Sequence, residues 1–394
     1  MRAEIISVGT ELLLGQIVDT NAAYMAQRLA EIGIDVHFKQ TVGDNATRVE
    51  EALRLAMSRA DVVLMTGGLG PTEDDLTVAA VAATLGLDLV SNEAAADHIR
   101  RFFETRGRIP SSTVYKQALV PRGAHVIPND RGTAPGVHID HRGRSIFMMP
   151  GVPYEMKGMM ENYVLPALRD RTGLTVIRSR VLRITGEGES AIEERIKDLL
   201  QQTDPTVAPY AKLGEVHLRL TAKGAPEEVD AALARGEAQV RERLSDLVYG
   251  IDEQTLEDVV AQALIAKNLT LAVAESCTGG LISYRLTNIP GSSTYFLEGV
   301  VAYSNEVSAE VAEAMAGAIR RRSGAAVGLG VTGIAGPAGG NPDKPVGLVY
   351  LALAGAGGTM HRRLTFGAEA GRQGIRVLAA QAGLNLLRLH LTRA

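Results

Sequence analysis

A hydroxyl and a thiol stand side by side in the segment 274–280, which reads Ala-Glu-Ser-Cys-Thr-Gly-Gly and follows the apolar run 271–273. An apolar helical pattern comes after it, so the sequence predicts a strand, a turn and a helix. A turn of this kind suits covalent chemistry, with Ser276 or Cys277 as the nucleophile.

The start of the predicted helix adds a second kind of chemistry. Its first backbone N–H groups have no partner within the helix, so they could stabilise an oxyanion or bind a phosphate. Gly279 and Gly280 would let a ligand approach the backbone closely. The alternative is structural: Ser276 and Thr278 cap the helix, and Cys277 is a small buried apolar residue.

Two further strands in this part of the chain are predicted to end in polar loops. The strand at 299–302 leads to Tyr303, and the strand at 326–331 leads to Thr332. A predicted hairpin and a closing helix follow. We expect Ser276, Tyr303 and Thr332 to share one pocket, because each stands at a strand end of the same domain.

Length and composition bound the class of protein. A chain of 394 residues predicts two or three domains. Its 45 acidic and 41 basic residues give a net charge of -4 without a long run of either sign, which argues against nucleic acid as the main ligand. No apolar run approaches the ~20 residues of a membrane helix, and the chain starts on a strand pattern rather than a signal peptide. The single cysteine fits a reducing compartment, so we expect a cytoplasmic protein without membrane contact.

The N-terminal part alternates short β-branched runs with helical patterns. The predicted elements are strands at 4–8, 34–41 and 61–65 and helices at 19–32 and 45–59. This βαβαβ order predicts an α/β fold with a parallel sheet, helices on both faces and ligands beyond the carboxyl ends of the strands. Another strand, glycine turn and helix are predicted around 146–155.

The loop at 66–75, after the third strand, is a candidate phosphate site. Backbone amides of a glycine-rich loop can cradle a phosphate. The glycines concerned are Gly67, Gly68 and Gly70.

Acidic residues in the same loop predict a metal ion. Thr72 and Asp75 have the spacing of a capping box for the helix that follows. The carboxylates of 73–75 would repel a bare phosphate, so a diphosphate ligand would arrive with a divalent cation held by Asp74 and Asp75. The alternative is a solvated acidic first helical turn, favoured by the helix dipole.

The pattern changes between 175 and 249. Strands are predicted at 176–185 and 215–222 and helices at 189–201 and 226–247, followed by a linker around 250–253. This predicts a small α+β domain with a structural role or a role in subunit contacts. The predicted domains are therefore 1–172, 173–250 and 251–394.

Several motifs, in this order along nearly the whole chain, resemble the two-part CinA family of competence/damage-inducible proteins. They are Gly-Thr-Glu-Leu-Leu-Leu-Gly at 9–15, Asp-Thr-Asn at 19–21, Thr-Gly-Gly-Leu-Gly-Pro-Thr at 66–72, Pro-Gly at 150–151, Glu-Ser-Cys-Thr-Gly-Gly at 275–280, Tyr-Ser-Asn at 303–305 and Thr-Gly-Ile-Ala-Gly-Pro at 332–337. Such a series is far more specific than any single glycine-rich loop.

The resemblance implies a doubly wound N-terminal domain akin to molybdopterin-binding proteins, with metal-dependent ADP-ribose pyrophosphatase activity. It implies a C-terminal α/β nicotinamide-nucleotide amidase, which converts nicotinamide mononucleotide to nicotinate mononucleotide and ammonia without a cofactor. Both activities belong to pyridine nucleotide salvage. We expect these small-molecule nucleotides as ligands and a homodimer as the assembly.

The candidate site residues follow from the resemblance and from residue types. Ser276 is the expected nucleophile, Tyr303 a proton carrier if a neighbouring cation stabilises its phenolate, and Thr332 and the loop amides would position the substrate. Cys277 is the competing nucleophile, but no histidine partner is evident nearby. Expected substrate-binding residues are Cys277, Thr278, Gly279, Gly280, Gly333 and Arg372 in the C-terminal domain, and Asn21, Thr66, Gly67, Gly68, Gly70 and Thr72 in the N-terminal domain; Asp74 and Asp75 are the expected metal ligands.

One region departs from the family pattern. Relatives carry a lysine five residues after the tyrosine, then a further turn and helix, whereas here Glu306 runs directly into Val307 and Ser308 stands at the lysine position. No lysine occurs between Lys267 and Lys344. Lys344 is either a substitute for the missing cation or a solvated loop lysine.

Three hypotheses remain open. The first is a bifunctional hydrolase, and the second is an enzyme active only in its N-terminal domain, with a regulatory or oligomerising C-terminal domain. The third is a non-enzymatic partner in competence or DNA damage, for which the sequence offers no basic stripe and no aromatic platform for bases.

Overall fold

The computed structural model describes residues 1–172, 175–303 and 307–393. The chain forms two compact units, one of residues 1–178 with 222–231 and one of residues 179–221 with the chain from 232 onward. Within the described ranges, none of the helices combines the length and the apolar character needed to span a bilayer.

The first unit is built on alternating strands and helices. Its strands are β1 (Arg2–Val8), β2 (Asp35–Val42), β3 (Val62–Thr66), β4 (Leu89–Ser91), β5 (Leu119–Pro121), β6 (His125–Ile127), β7 (Gly136–His141) and β8 (Arg144–Met149). Its helices are α1 (Thr10–Leu13), α2 (Thr20–Ala30), α3 (Ala46–Arg59), α4 (Thr77–Leu85), α5 (Glu93–Glu104), α6 (Pro153–Met159) and α7 (Leu165–Thr172), with a 3-10 helix at Ser112–Ala118 and a π-helical turn at Met160–Val164 between α6 and α7.

The main sheet of this unit has the order β2-β1-β3-β8-β7-β6. Its first four strands are parallel, and β7 and β6 are antiparallel additions. Apolar cores cover both faces, with Ile5 and Phe147 on one side and Ile6 and Met148 on the other. The predicted parallel α/β architecture is confirmed, and the carboxyl ends of β1, β3 and β8 meet at one edge.

The helix starts in this unit follow local capping signals. Asp19 and Asn45 each accept a hydrogen bond from the backbone amide three residues later, and α2 and α3 begin directly after them. Pro153 occupies the first position of α6, as its fixed φ favours.

The second unit contains two sheets. Its strands are β9 (Val176–Ile184), β10 (Thr206–Lys212), β11 (Glu215–Gly224), β12 (Val248–Ile251), β13 (Leu271–Glu275), β14 (Phe296–Val301), β15 (Val327–Gly333), β16 (Leu348–Gly355) and β17 (Gly358–Thr365), of which β9 and β11 extend into the first unit. Its helices are α8 (Glu189–Arg195), α9 (Pro226–Leu244), α10 (Leu256–Ala266), α11 (Leu281–Thr287), α12 (Ala309–Ser323) and α13 (Gly371–Arg393), and α9 likewise begins in the first unit.

The smaller sheet, of order β10-β11-β9-β12, corrects several sequence predictions. The predicted linker at 250–253 is wrong at its start, because residues up to Ile251 pair with β9 as strand β12. The predicted helix at 189–201 is too long, since the chain leaves helical geometry at Ile196 with φ −116° and ψ 16°. Strand β10 was not predicted. Its Pro209 lacks the N–H of a strand hydrogen bond, and with Val207 as its one buried residue it shows no alternation of buried and exposed positions.

The larger sheet has the order β14-β13-β15-β16-β17. Strands β14, β13 and β15 are parallel, and β16 and β17 form the predicted hairpin. Gly328 and Gly330 of β15 let α12 lie close against the sheet, because a Cβ at these positions would stand 2.2 and 2.3 Å from the carbonyl oxygens of Ala316 and Ala312.

Candidate functional site

Strand register brings the candidate residues of the C-terminal part together. Glu275, the last residue of β13, lies opposite Val301 of β14 and Val331 of β15. The amide of Ser276 continues the ladder by donating to the Val331 carbonyl oxygen at 2.9 Å. The residues that follow these three strand positions are Ser276, Ala302 and Thr332, with Tyr303 one position beyond.

The members of this cluster differ in solvent exposure. Ser276 and Thr332 are buried, whereas the side chain of Tyr303 is 65% exposed. Ser304 and Asn305 of the predicted motif lie outside the described residues. Tyr303 is therefore the exposed member of the cluster.

The start of α11 is already filled by the protein, which corrects the predicted anion site. One oxygen of the buried Glu275 carboxylate accepts from the amides of Gly280 at 3.1 Å and Ile282 at 3.0 Å. The other accepts from the amide of Ser283 at 2.8 Å and its hydroxyl at 2.7 Å. A carboxylate in this position satisfies both the unpaired N–H groups and the helix dipole.

The capping alternative is also wrong. Helix α11 begins at Leu281, and the residue before it, Gly280, has the left-handed φ of 91°. The N-cap position is thus a glycine, and the amides of Gly280, Ile282 and Ser283 donate to Glu275 instead, so neither Ser276 nor Thr278 is the N-cap of this helix. The hydroxyl of Thr278 is buried and has no hydrogen-bond partner within the described chain.

Cys277 is a poor nucleophile in this environment. Burial raises the pKa of its thiol to about 12, and the hydrogen bonds that its own amide and that of Thr278 could give to the sulfur offset only part of this effect. The reactive form of cysteine is the thiolate, which is scarce at neutral pH under these conditions. The thiol is thus better described as a buried apolar group beside Ser276.

Two arginines of α13 hold the loops around the cluster. Arg372 donates one hydrogen bond to the carbonyl oxygen of Gly336 at 2.7 Å and another to the hydroxyl of Tyr303. Arg376, which the sequence analysis missed, donates from Nε and Nη2 to the carbonyl oxygen of Thr278 at 3.3 and 3.0 Å. Its spacing of four residues from Arg372 on one helix was the available signal.

The glycines of the cluster have structural explanations within the chain. A Cβ on Gly333 would lie 2.7 Å from the carbonyl oxygen of Leu348, and one on Gly279 would lie 3.2 Å from Nη2 of Arg376. Both positions therefore serve close packing of neighbouring segments, whether or not a ligand also approaches them.

Ser308, at the position where the family pattern predicts a lysine, has a structural role. Ser308 accepts a hydrogen bond from the amide of Val311 and caps α12. Lys344 is exposed on the loop before β16 and contributes, after stronger local hydrogen bonds, to the lowered pKa of Glu310. Its charge therefore lies near the start of α12.

A cavity of about 440 Å³ lies at the carboxyl ends of β1, β3 and β8 in the first unit. The predicted loops meet there: Gly9 follows β1, the segment 67–71 follows β3, and Pro150 and Gly151 follow β8. A volume of this size suits a nucleotide-sized ligand. Gly67 also permits close packing of the chain itself, because a Cβ there would stand 2.0 Å from the carbonyl oxygen of Val8.

Asn21 and Thr66 connect these loops and are not among the residues that line the cavity. The Asn21 amide donates to the Thr66 hydroxyl at 3.1 Å and to the Gly151 carbonyl oxygen at 2.8 Å. The Thr66 hydroxyl in turn donates to the carbonyl oxygen of Pro150 at 3.0 Å. These bonds fix the Pro-Gly loop against β3.

The acidic loop is a turn that precedes its helix, so the predicted capping box is wrong. The Asp75 carboxylate accepts from the amide of Thr72 at 2.9 Å and from its hydroxyl at 2.5 Å. Helix α4 begins only at Thr77, which also rules out the alternative of an acidic first helical turn. The Lys116 ammonium donates to the carbonyl oxygens of Thr72 and Asp75 and holds the turn closed.

The donor set of the cavity fits a hard cation that arrives with its ligand. Carboxylates of Glu11, Asp44, Asp74 and Asp75 line the cavity. The neighbouring Thr72 side chain lowers the pKa of Asp74, although the Thr72 hydroxyl itself donates to Asp75. No group of three metal-ligating side chains is preformed in the described part of the chain. Mg²⁺ commonly binds through one or two carboxylates, substrate phosphates and water, which needs no such group.

Models of known protein families match three parts of the chain. Family models match at residues 4–170 (probable molybdopterin binding domain), 179–250 (damage-inducible protein CinA KH domain) and, in two stretches, 253–308 and 305–391 (CinA C-terminal domain).

Curated relatives match over almost the full length. A competence-damage inducible protein of Moorella thermoacetica is 48% identical over 407 residues, and a CinA-like protein of Dictyoglomus thermophilum is 46% identical over 408 residues; both alignments cover 98% of each chain. A solved structure of the protein CinA from Thermoplasma acidophilum is 34% identical with a TM-score of 0.40, covering 44% of this chain and 98% of that one. The chain therefore belongs to the CinA family of competence/damage-inducible proteins.

Proposed function

We propose that the C-terminal part of the chain hydrolyses the carboxamide of nicotinamide mononucleotide, releasing ammonia and nicotinate mononucleotide. The observation that carries this proposal is the juxtaposition of Ser276 with Thr332 at neighbouring strand ends, with Tyr303 at the rim and Arg372 bonded to its hydroxyl. A hydroxyl nucleophile with a proton carrier and a cation beside it is the minimum equipment for amide hydrolysis.

The proposed reaction has two steps. The Ser276 hydroxyl oxygen attacks the amide carbon while its proton passes to the phenolate form of Tyr303. Tyr303 then gives this proton to the amide nitrogen, the C–N bond breaks, and ammonia leaves an acyl-enzyme. Water then attacks the acyl carbon and releases the carboxylate and the serine hydroxyl. Because Glu275 accepts from the amides of Gly280, Ile282 and Ser283, we assign the oxyanion to the amides of Cys277 and Thr278, which also face the Cys277 sulfur.

A pair of matched variants tests the nucleophile. Ser276→Ala should abolish release of ammonia, whereas Cys277→Ser should leave the activity largely intact, because the buried thiol is protonated at neutral pH. Product analysis by chromatography, with melting curves to confirm folding, measures both. The reverse pattern of activities would make the thiol the nucleophile.

Without the lysine that the family pattern predicts at position 308, we expect slow turnover of nicotinamide mononucleotide. Loss of a positioned proton-transfer group typically costs about 10²–10⁴-fold, so turnover should be slow while nucleotide binding persists. Insertion of a lysine-bearing helical segment between Glu306 and Val307 should raise turnover. If the unmodified chain already reaches ordinary rates of about 1–10³ s⁻¹, the lysine is dispensable or replaced, and Lys344→Ala is the next variant to measure.

We propose that the N-terminal cavity cleaves the diphosphate of ADP-ribose with a divalent cation. The supporting observation is the glycine loop and the ionised Asp74 in one nucleotide-sized cavity. The cation would neutralise the diphosphate charge, with Asp74 and Asp75 as its protein ligands. Cleavage should be lost in Asp74→Ala or Asp75→Ala, and undiminished turnover in excess chelator would contradict a role for metal.

A second candidate is a chain active only in the N-terminal cavity, with a regulatory or oligomerising C-terminal part. Two observations favour it: Ser308 caps α12 where relatives carry a lysine, and the C-terminal family model matches in two stretches that meet at this position. Incubation with each nucleotide separately distinguishes the candidates, because only ADP-ribose would then be consumed.

A further inference from the structure

A cavity of about 400 Å³, which we call the α13 cavity, lies within the second unit. Its walls come from the loop 185–189 after β9, the turn 211–216 between β10 and β11, the strands β16 and β17, and helix α13. None of these lining residues belongs to the Ser276 cluster. The volume lies within the range of about 300–1,000 Å³ that small-molecule sites occupy.

Most of the cavity wall is apolar. Strand β17 contributes Leu364 and Phe366, which are two residues apart, and helix α13 contributes Leu378 and Ala382, which are one turn apart. Both spacings direct side chains to one face of their element. The apolar body of a ligand would therefore be removed from water against these side chains.

One buried polar side chain of the wall has an unused donor. Asn385 is 8% exposed, and its Oδ1 accepts from Nε and Nη2 of Arg388 at 3.0 and 2.8 Å, which fixes the orientation of the side-chain amide. Its Nδ2 faces Gly186, where a Cβ would stand 3.3 Å away, and donates no hydrogen bond within the described chain. Because Asn385 lines the cavity and Nδ2 is not among the solvent-inaccessible unpartnered atoms, this donor is open to a ligand. Buried donors are nearly always paired, so Nδ2 points to an acceptor on that ligand.

Two of the carboxylates that line the cavity already have partners. Glu187 forms an ion pair with Arg195 at 3.0 Å. Glu215 accepts from Nε2 of Gln381 at 2.8 Å and lies 2.8 Å from Nε2 of His217. Their charges are therefore largely compensated within the chain.

The remaining charges of the wall are positive on balance. Lys212, Arg362 and Glu189 also line the cavity, and none of them forms an ion pair within the described part of the chain. Two cations thus stand against one carboxylate. Such a balance attracts an anionic ligand.

We propose that the α13 cavity binds an organic acid, which consists of a carboxylate on an apolar body of about ten carbon atoms. The carboxylate accepts a hydrogen bond from Nδ2 of Asn385, and Lys212 and Arg362 supply the attractive potential. At roughly 30 Å³ for each non-hydrogen atom, as in liquid water, the cavity holds about thirteen such atoms, the number in a naphthalene carboxylate. This site is independent of both nucleotide sites proposed above.

The acid 2-naphthoate and its amide, 2-naphthamide, form the discriminating pair of probes. They share the ring and the number of non-hydrogen atoms, but the amide is uncharged and carries NH₂ where the acid has an oxygen. The chain contains no tryptophan, so naphthalene fluorescence reports binding to the full chain without that background. We expect the acid to bind about tenfold more tightly, because a hydrogen bond to a charged acceptor is stronger than one to a neutral acceptor.

The variant Asn385→Asp should reverse this preference. Its carboxylate keeps one oxygen on Arg388 and presents the other to the cavity in place of Nδ2. Binding of the acid should weaken about tenfold or more, whereas the amide can now donate its NH₂ to the new acceptor. Asn288→Asp is the matched control, because it makes the same change at an exposed position of the same unit outside the cavity and should alter neither affinity.

A second pair of variants tests the charge. Arg362→Gln should weaken binding of the acid about twofold to fivefold, as expected for loss of an exposed cation. Arg363→Gln is its control, because the next residue of β17 points to the opposite face of the sheet and does not line the cavity.

Three outcomes would overturn the proposal. Equal affinity of the unmodified chain for acid and amide is one, and binding of neither compound is another; both are independent of whether any variant folds. The third is an undiminished preference for the acid in an Asn385→Asp variant whose melting curve shows that it is folded. Reversal of the preference in that variant, with both controls unchanged, would support the proposal.

Discussion

Replacement of Glu275 by glutamine should destabilise the second unit strongly. The carboxylate has 0% exposure and accepts four hydrogen bonds, two on each oxygen. Glutamine has the same shape, but its NH₂ group must face either the amides of Gly280 and Ile282 or the amide of Ser283, whose hydroxyl can rotate to accept instead. The variant thus loses at least one hydrogen bond outright and the negative charge that strengthens the others. At about 1.5–3 kcal/mol for each hydrogen bond to a charged group, against about 0.5–1.5 kcal/mol for a neutral one, the total amounts to about 3–6 kcal/mol.

Thermal unfolding of the full chain measures this loss. The second unit has roughly 200 residues, for which about 2–4 °C in melting temperature correspond to 1 kcal/mol, so Glu275→Gln should lower its transition by about 6–24 °C. Glu298→Gln is the matched control on the adjacent strand β14. Its carboxylate lies 2.9 Å from Nη2 of Arg322, whose side chain is 69% exposed. Loss of this exposed ion pair should cost less than about 1 kcal/mol of stability.

Hydrogen exchange locates the effect. The amides of Gly280, Ile282 and Ser283 should exchange faster in Glu275→Gln than in the unmodified chain, because their acceptor is weakened. A melting temperature within about 2 °C of the unmodified chain, or unchanged protection of these three amides, would refute the assignment of Glu275 as the group that fills the start of α11.

Three further predictions concern the sites. With a pKa of about 12 rather than 9.0, the thiolate of Cys277 at pH 8 should be about a thousandfold scarcer than that of an ordinary cysteine. Iodoacetamide should therefore alkylate Cys277 slowly in the native chain and rapidly in urea, as followed by mass spectrometry. Alkylation of the folded chain at the rate of free cysteine would contradict this prediction. Arg372→Lys should lower amidase turnover about tenfold to a hundredfold, because one ammonium group cannot reproduce both hydrogen bonds of the guanidinium, to Tyr303 and to Gly336. Unchanged turnover would show that these two hydrogen bonds do not contribute to the reaction. Lys116→Met should speed hydrogen exchange of the amides in the turn at 72–75, because Lys116 donates to two carbonyl oxygens of that turn. It should also weaken ADP-ribose binding, measured by calorimetry, with little change in melting temperature. Unchanged hydrogen exchange in the turn would show that Lys116 does not hold it closed.

Secondary structure was predicted correctly where it depends on neighbouring residues in the sequence and missed where it depends on distant ones. Helices α2 and α3 were predicted within one or two residues at their starts, because Asp19 and Asn45 cap them directly. Strands β10 and β12 were missed, since their strand state depends on pairing with β11 and β9 rather than on their own residue pattern.

The candidate site shows the same division. The types of Ser276, Tyr303 and Thr332 and their places after strands were readable along the chain. Arg376 was missed because its partner, the carbonyl oxygen of Thr278, is 98 residues away in sequence.

The sequence by itself determined the α/β alternation, the family and the residues able to do chemistry, because periodicity, caps and motif order are properties of short segments. The tertiary structure alone decided which of those groups are available. It buried the Cys277 thiol and thereby raised its pKa, and it gave the amides of α11 to the Glu275 carboxylate instead of a ligand. It also moved the start of α4 beyond the acidic turn. The physical reason is that hydrogen-bond partners and desolvation are set by atoms distant in sequence, which no local pattern encodes.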